Sequence, residues 1–300
     1  GCFVLHNIFS MDDSAFKKDR EWSDPTKNMK RTVYNTGKAI LAPFPKTKVF
    51  FKKTYRSLRT GCLKMCHPNG AFLTCNGAKV FCDFSSENYF WYDGYSEYLD
   101  YELKVFTSLF SEKAPNVVLD VGAHWGFYSA FLETTEYSQR IAKLVSIEAD
   151  PVNFSILSKT LAQVSRIPVM QVNAAISDKD GFVDLYSGDG TCKQTYYSSD
   201  ATRVGKTNAI SLDGLTKTFL GPEERITHVK LDIDGYEPAF FAGGKETLEK
   251  YHPLIMTEFW AKGLKESGFD LDEYWGMMQT NYYVKEACFP DPQLNILEYE

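Results

Sequence analysis

The stretch Val117 to Ser129, VVLDVGAHWGFYS, limits what this chain can fold into more than any other segment. A β-branched run ends in an acid, and two glycines four residues apart follow it. Val117, Val118, Leu119 and Val121 suit a strand buried in a parallel sheet, while Phe127, Ala130 and Phe131 change the apolar spacing to i, i+3, i+4. The spacing predicts a strand, a tight turn and the start of a helix. With Gly122, Ala123 and Gly126 the turn carries little side chain, so a ligand can lie against bare backbone at the positive end of the new helix. Such a turn suits a nucleotide-type cofactor, although an ordinary strand-to-helix connection uses the same residues.

Spacing decides which cofactor. A dinucleotide fingerprint needs three glycines, and here the pattern is G-A-H-W-G with Asp120 two residues before it. A diphosphate cradle fits poorly. A carboxylate at the strand end suits a ligand with an ammonium group and no phosphate, and S-adenosylmethionine answers that description. The next unit strengthens the case: KLVSIE (143–148) reads as a second strand ending in Glu148, followed by Asp150 as helix N-cap and Pro151 in the first turn. Phe154, Leu157, Leu161 and Val164 mark the apolar face of that helix. Glu148 lies 22 residues after Gly126, where a βαβ unit presents a carboxylate to ribose hydroxyls.

Further acids fall at the ends of later strands. Val169 to Ile176 reads as the third strand, and Asp180-Gly181 turns into another, FVDLY. The polar stretch Ser187 to Thr207 reads as a long loop, an acceptor-side lid. Val229 to Ile233 reads as the fourth strand, in which Asp232 and Asp234 point to one side. One helix with Phe240, Phe241 and Leu248 buried is expected between Pro238 and Pro253, and Glu258 closes the fifth strand. Asp120, Glu148, Asp232, Asp234 and Glu258 thus share one rim, the expected place for a ligand in an open α/β sheet. Asp232 is the first candidate for a general base or for orienting the cofactor, with Asp234, Glu258 and His124 behind it. His124 serves equally well as a structural loop residue. Asp232 and Asp234 would also be the place for a divalent metal, although two carboxylates two residues apart indicate one only weakly.

Taken together, LDVGAHWGFYS (119–129), IEADPVNFSIL (147–157), VNAAISDKDGFVDLY (172–186), ISLDGL (210–215), VKLDIDGYEPAFFAGG (229–244) and PLIMTEF (253–259) resemble the FkbM-like methyltransferases. The segments occur in the family's order from roughly Tyr95 to the C-terminus. His124 and Trp125 stand where the family has Asn and an aliphatic residue, and Asp234 where Glu is usual. The resemblance implies an α/β fold of the Rossmann-like class I type, with a mainly parallel, twisted sheet and helices on both faces. It also implies a final antiparallel strand among Tyr282 to Glu286 and Leu294 to Tyr299. Asn173, Ala174, Ser177 and Asp178 would line the adenine. The activity implied is S-adenosylmethionine-dependent O-methylation of a hydroxyl on a sugar, glycan or small molecule.

The rest of the chain surrounds this unit. Residues 1–66 hold 14 Lys or Arg against 5 Asp or Glu, and the remainder 19 against 34, so a basic arm precedes an acidic domain at 67–300. Phe51, Tyr55, Leu58 and Cys62 follow a helical period with basic residues between them. This predicts an amphipathic helix packed on the acidic domain or a second subunit, with a membrane surface or a nucleic acid as alternatives. The arm therefore keeps an RNA methyltransferase open as a second function, and a non-catalytic cofactor-binding module is a third.

Seven cysteines fit a reducing compartment rather than a disulfide framework. Asn76-Gly77 predicts a hairpin that pairs Cys75 with Ala78 and Ala71 with Cys82, which argues against one zinc site for these cysteines. The aromatic stretch Tyr89 to Tyr101 is expected to pack as core or as a lid, and Leu99, Leu103, Phe106 and Phe110 as a leading helix. No positively charged leader with an apolar run, and no stretch near the roughly 20 apolar residues of a membrane span, occurs in the sequence. A soluble, cytoplasmic location is the default expectation.

Overall fold

The structure, a computed structural model, describes residues 2–7, 60–86, 102–103, 106, 110, 116–188, 191–193 and 202–288. Its centre is the predicted strand, turn and helix: β4 (Asn116–Val121) leads through the glycine turn into α1 (Phe127–Thr134). Next come β5 (Ile141–Glu148), α2 (Pro151–Leu161) and β6 (Val169–Asn173). Asp150 caps α2 as expected, its side chain accepting from Val152 N, with Pro151 in the first turn. The later units are α3 (Leu212–Phe219), β11 (Ile226–Leu231), α4 (Glu237–Ala242), α5 (Lys245–Tyr251) and β12 (Leu254–Glu258). α6 (Ala261–Glu266), α7 (Leu271–Asn281) and β13 (Tyr283–Cys288) close the described chain.

One sheet runs in the order β13, β1 (Cys2–Asn7), β12, β11, β4, β5, β6, with every pairing parallel. The five central strands, β12 to β6, carry the site. Alternate residues of β4 supply two cores. Val117, Leu119 and Val121 meet Leu212, Leu215, Phe240, Phe241 and Leu248 on one face, while Val118 meets Leu132 and Phe106 on the other. The second face is closed by the hairpin β2 (Ala71–Cys75) and β3 (Ala78–Cys82), whose register pairs Cys75 with Ala78 and Ala71 with Cys82 as Asn76-Gly77 predicts. Phe81 N donates to Thr160 Oγ1 at 3.0 Å and ties the hairpin to α2.

Several expectations are corrected. β13, the last strand among the described residues, covers the first of the two segments expected to be antiparallel and is parallel, because α6 and α7 form a crossover that returns the chain to the edge of the sheet beside β1. Leu294 to Tyr299, proposed for the same role, lies outside the described residues. The basic arm is not wholly separate from the sheet, since its apolar opening CFVLHN is β1. Residues 60–66 are helical, whereas most of the amphipathic helix at 51–62 and the aromatic stretch at 89–101 fall outside the described residues.

The third strand breaks after Asn173, and Ala175–Ile176 (β7) joins a second sheet in the order β7, β10 (Thr202–Ile210), β8 (Gly181–Gly188), β9 (Thr191–Lys193). The polar stretch read as a loop therefore forms strands at both ends. Cross-strand pairing explains this, as in Arg203 and Asp184 at 2.8 Å; residues 194–201 are not described. The single helix expected between the prolines is two, divided at Gly243-Gly244. A Cβ on Gly243 would lie 2.3 Å from Ser177 O, so this close approach requires glycine.

Candidate active site

Parallel register sets a polar row across the sheet near its carboxyl edge. Asp120 on β4 pairs with Ser146 on β5 and with Lys230 on β11. All three are buried. Ser129, one turn into α1, reaches down to this row. Its Oγ donates to Asp120 Oδ2 at 2.6 Å and lies 2.7 Å from Ser146 Oγ. Lys230 Nζ donates to Gly122 O at 3.0 Å and lies 3.3 Å from Asp232 Oδ2 and 3.8 Å from Asp120 Oδ1. It also sits 5.0 Å from the centre of the Tyr128 ring, and the Tyr128 hydroxyl donates to Glu102.

These contacts fix the charges. Burial alone would lower the Lys230 pKa, but Asp232, Asp120 and Glu102 overcome it and hold the ammonium well above its ordinary range. Burial pushes the Asp120 carboxyl upward, and Lys230 and Ser129 pull it partly back. The acid expected to await a ligand's ammonium thus already meets a cation of its own chain. Lys230 was not among the residues expected from sequence. A lysine at the core-facing alternation of an apolar strand, H-V-K-L-D, is the signal that marks it.

The glycine turn is held with equal economy. Gly122 N and Ala123 N both donate to Ile147 O, at 3.0 and 2.9 Å, His124 N to Glu148 Oε2 at 2.8 Å, and Gly126 N to Ala123 O at 2.8 Å. Four amides of the turn, those of Gly122, Ala123, His124 and Gly126, are thus engaged within the chain, which disfavours their use as a diphosphate cradle. Both glycines are required by the chain's own packing. A Cβ at Gly122, where φ is +74°, would lie 1.8 Å from Asp232 O, and one at Gly126, where φ is +85°, 2.7 Å from Leu157 Cδ1. Gly126 therefore lets α1 seat closely on α2.

Glu148 stands at the end of β5, accepting from His124 N and, at 3.0 Å, from Asp150 N. Burial raises its pKa to about 7. Asn173 lies beside it and donates to Glu148 O at 2.8 Å. Ala174 is buried in the core with Val172 and Ile176, and Ser177 is buried with its carbonyl under the α4–α5 turn. Asp178 is exposed and accepts from Ser177 Oγ at 3.2 Å. His124 stacks on Trp125, and burial followed by the nearby Lys230 charge lowers its pKa to about 4. It is a neutral and weakly basic imidazole at pH 7, which suits a loop residue better than a general base.

The turn after β11 differs from the expected strand. β11 ends at Leu231, and Asp234 has a left-handed φ of +57°, so Asp232 and Asp234 are placed by a turn and not by strand alternation. The turn packs against α6: a Cβ on Gly235 would meet Gly263 C at 2.4 Å. Glu237, also missed from sequence, holds the turn by accepting from Ile233 N at 3.1 Å and Gly235 N at 3.3 Å. Its pKa is raised by burial to about 7. Glu258 is half-buried at the end of β12, and its pKa is raised well above the ordinary range by burial and by Asp232, Glu237, Asp234 and Glu102. The structure thus brings Asp120, Gly122 and Asp232 together around Lys230, with Asp234 and Glu258 beside Asp232 and with Glu148 and Asn173 on the adjoining strands. No group of three His, Cys, Asp or Glu with metal-binding geometry occurs among the described residues. No helix among them is long and apolar enough to cross a membrane.

Glu148 and Glu237 predict a pH dependence. Each is raised in the folded chain from 4.5 to about 7, so its contribution to stability is fully present below about pH 4.5 and is lost as pH rises through 7. The loss is on the order of 3 kcal/mol for each group. The urea midpoint of the ligand-free chain should fall between pH 5.5 and 8, and Glu237→Gln should reduce that fall. A midpoint that rises with pH over this interval would contradict the assignment.

NoeI, a 2-O-methyltransferase of Sinorhizobium fredii (strain NBRC 101917 / NGR234), is 29% identical over 190 residues, 56% of this chain and 74% of that protein. The solved structure of the methyltransferase FkbM from Methylobacillus flagellatus KT aligns with 62% of this chain at 18% identity and a TM-score of 0.40. A putative transferase from Pyrococcus horikoshii aligns with 35% of it at 20% identity and a TM-score of 0.23. The aligned parts span 44% and 36% of those two chains. The Methyltransferase FkbM domain matches residues 120–283, just over half of this chain, which therefore belongs to the FkbM methyltransferase family.

Proposed function

We propose that the protein is an S-adenosylmethionine-dependent O-methyltransferase whose acceptor is a hydroxyl of a sugar, a glycan or another small molecule. The observation that carries this reading is the pairing of a glycine turn with its amides consumed and a rim of carboxylates at the ends of β4, β5, β11 and β12. Such a rim favours a ligand that is positively charged and free of phosphate. Family membership and the 2-O-methyltransferase relative support the same chemistry.

Glu148 and Asn173 would hold the nucleoside end, and the turn 122–126 with Asp232 the amino-acid end. The cofactor, when bound, supplies a methyl group on a positively charged sulfur that departs as a neutral thioether. The chain's own task is to align the acceptor oxygen, which contributes roughly 7–11 kcal/mol in well-oriented reactions, and to accept the hydroxyl proton. Leu103, Phe106 and α1 cover the face on which Asp120 and Lys230 meet and would limit water there.

The test is transfer of labelled methyl from S-adenosylmethionine to a panel of methyl glycosides and simple alcohols. The expected product is an ether that survives mild alkali. An alkali-labile ester, or methyl transfer confined to nucleic acid, would contradict the reading.

A further inference from the structure

We propose that the second sheet reads the base of the adenosyl ligand, with Phe182 covering a face of the purine and Asn208 its polar edge. The proposal rests on the cofactor reading above and names the residues that would select an adenine within it.

A cleft of about 420 Å³ lies at the carboxyl end of β6. It is lined by Pro151 at the start of α2, Asn173 at the end of β6, Phe182 on β8, and Lys206, Thr207 and Asn208 on β10. Phe182 stands opposite Asn208 in the antiparallel ladder, so the two side chains share a face, and Lys206 lies on that face two residues before Asn208. All three are exposed, Phe182 to 73%, whereas Thr207 and Ala209 between and beyond them are buried. An aromatic ring on the wall of an open cleft, with amide groups beside it, is the composition of a small-molecule site.

The cleft continues the nucleoside end of the site. Asn173 pairs with Glu148 in the parallel register, and its Nδ2 donates to Glu148 O at 2.8 Å and to Ala149 O at 3.3 Å, so this one residue borders both. A ribose held at Glu148 has the cleft beside it for its base. Charge sorts the two ends of the ligand. Asp232, Asp234 and Glu258 stand at the rim and favour the cationic end, whereas the cleft lining holds no carboxylate and one ammonium, that of Lys206. Asp184, opposite Lys206, is engaged by Arg203 at 2.8 Å. A neutral purine suits such a lining. Its face stacks on an aromatic ring, and the donor and acceptor of one Asn amide match the N6 amino group and N7 of adenine. Ala174, Ser177 and Asp178, which the family resemblance implied for the adenine, stand outside the cleft lining.

The test needs no acceptor. Calorimetric titration of the full chain compares S-adenosylhomocysteine with S-inosylhomocysteine, in which a carbonyl oxygen replaces the 6-amino group of the base. The parent chain should prefer the adenosyl ligand. Phe182→Ala should weaken both, by roughly 5- to 150-fold as the loss of one base–aromatic stack implies. Asn208→Ala should weaken S-adenosylhomocysteine and erase the preference. Phe72→Ala, which removes a partly exposed ring from the hairpin, should change neither affinity and controls for the loss of a surface ring. An unchanged affinity for S-adenosylhomocysteine in Phe182→Ala would overturn the proposal and leave the cofactor reading standing. So would equal affinity of the parent for the two ligands, or a preference that survives Asn208→Ala. If S-adenosylhomocysteine did not bind the parent chain, the cofactor reading itself would fall, and the proposal with it.

Discussion

Lys230→Met is expected to destabilise the chain by about 3–5 kcal/mol, because it leaves a buried carboxylate without its cation. Asp120 is 2% exposed, Ser129 satisfies only one of its oxygens, and Gly122 O would also lose its donor. Methionine fills much of the lysine's volume, so the loss reads the charge and not a cavity. Urea unfolding measures it directly. Asp120→Asn in the same chain should recover part of the loss, since it removes the stranded charge, and the double-mutant cycle isolates the pair. A loss below about 1 kcal/mol would mean that the pair is solvated and that Lys230 does not organise the site.

Gly122→Ala should abolish binding of adenosyl ligands and cost about 2–5 kcal/mol of stability, combining a left-handed backbone with overpacking. The added methyl would stand 1.8 Å from Asp232 O, a backbone atom with no rotamer by which to withdraw. Either the glycine turn or the turn after β11 must move, and both carry the site. Isothermal titration with S-adenosylhomocysteine reads the binding and thermal unfolding the stability. If the variant bound with unchanged affinity, these two turns would not form one site. Glu148→Gln offers a gentler contrast, because it removes a charge but keeps an acceptor for His124 N and Asp150 N.

The fold was legible where local chemistry is unambiguous. The β-branched run at 117–121, Asp150-Pro151 opening a helix, and Asn76-Gly77 between two apolar runs each dictate one local structure, and each is found. The rim was legible in composition but not in geometry. Asp232 and Asp234 satisfy strand alternation on paper, yet Gly235 and the hold of Glu237 on two amides bend the chain after Leu231. Alternation describes a strand only as far as the ladder continues.

Lys230 escaped notice because its role is long-range. Asp120 meets Lys230 across 110 residues, through parallel register that no local pattern encodes. The glycines have a second role that their spacing does not announce: a Cβ would meet Asp232 O at Gly122 and Leu157 at Gly126, so backbone and helix packing also require them. The loop read into 187–207 is strand at both ends, because a polar surface strand and a polar loop share a composition and only pairing with β8 distinguishes them.

Calorimetric titration of the purified chain with S-adenosylmethionine, S-adenosylhomocysteine and NAD tests the central claim most directly. Saturable binding of both adenosyl ligands with no binding of NAD is the predicted result, and Glu148→Gln should weaken both. Binding of NAD in preference to them would contradict the reading of a glycine turn whose Gly122, Ala123, His124 and Gly126 amides are already engaged.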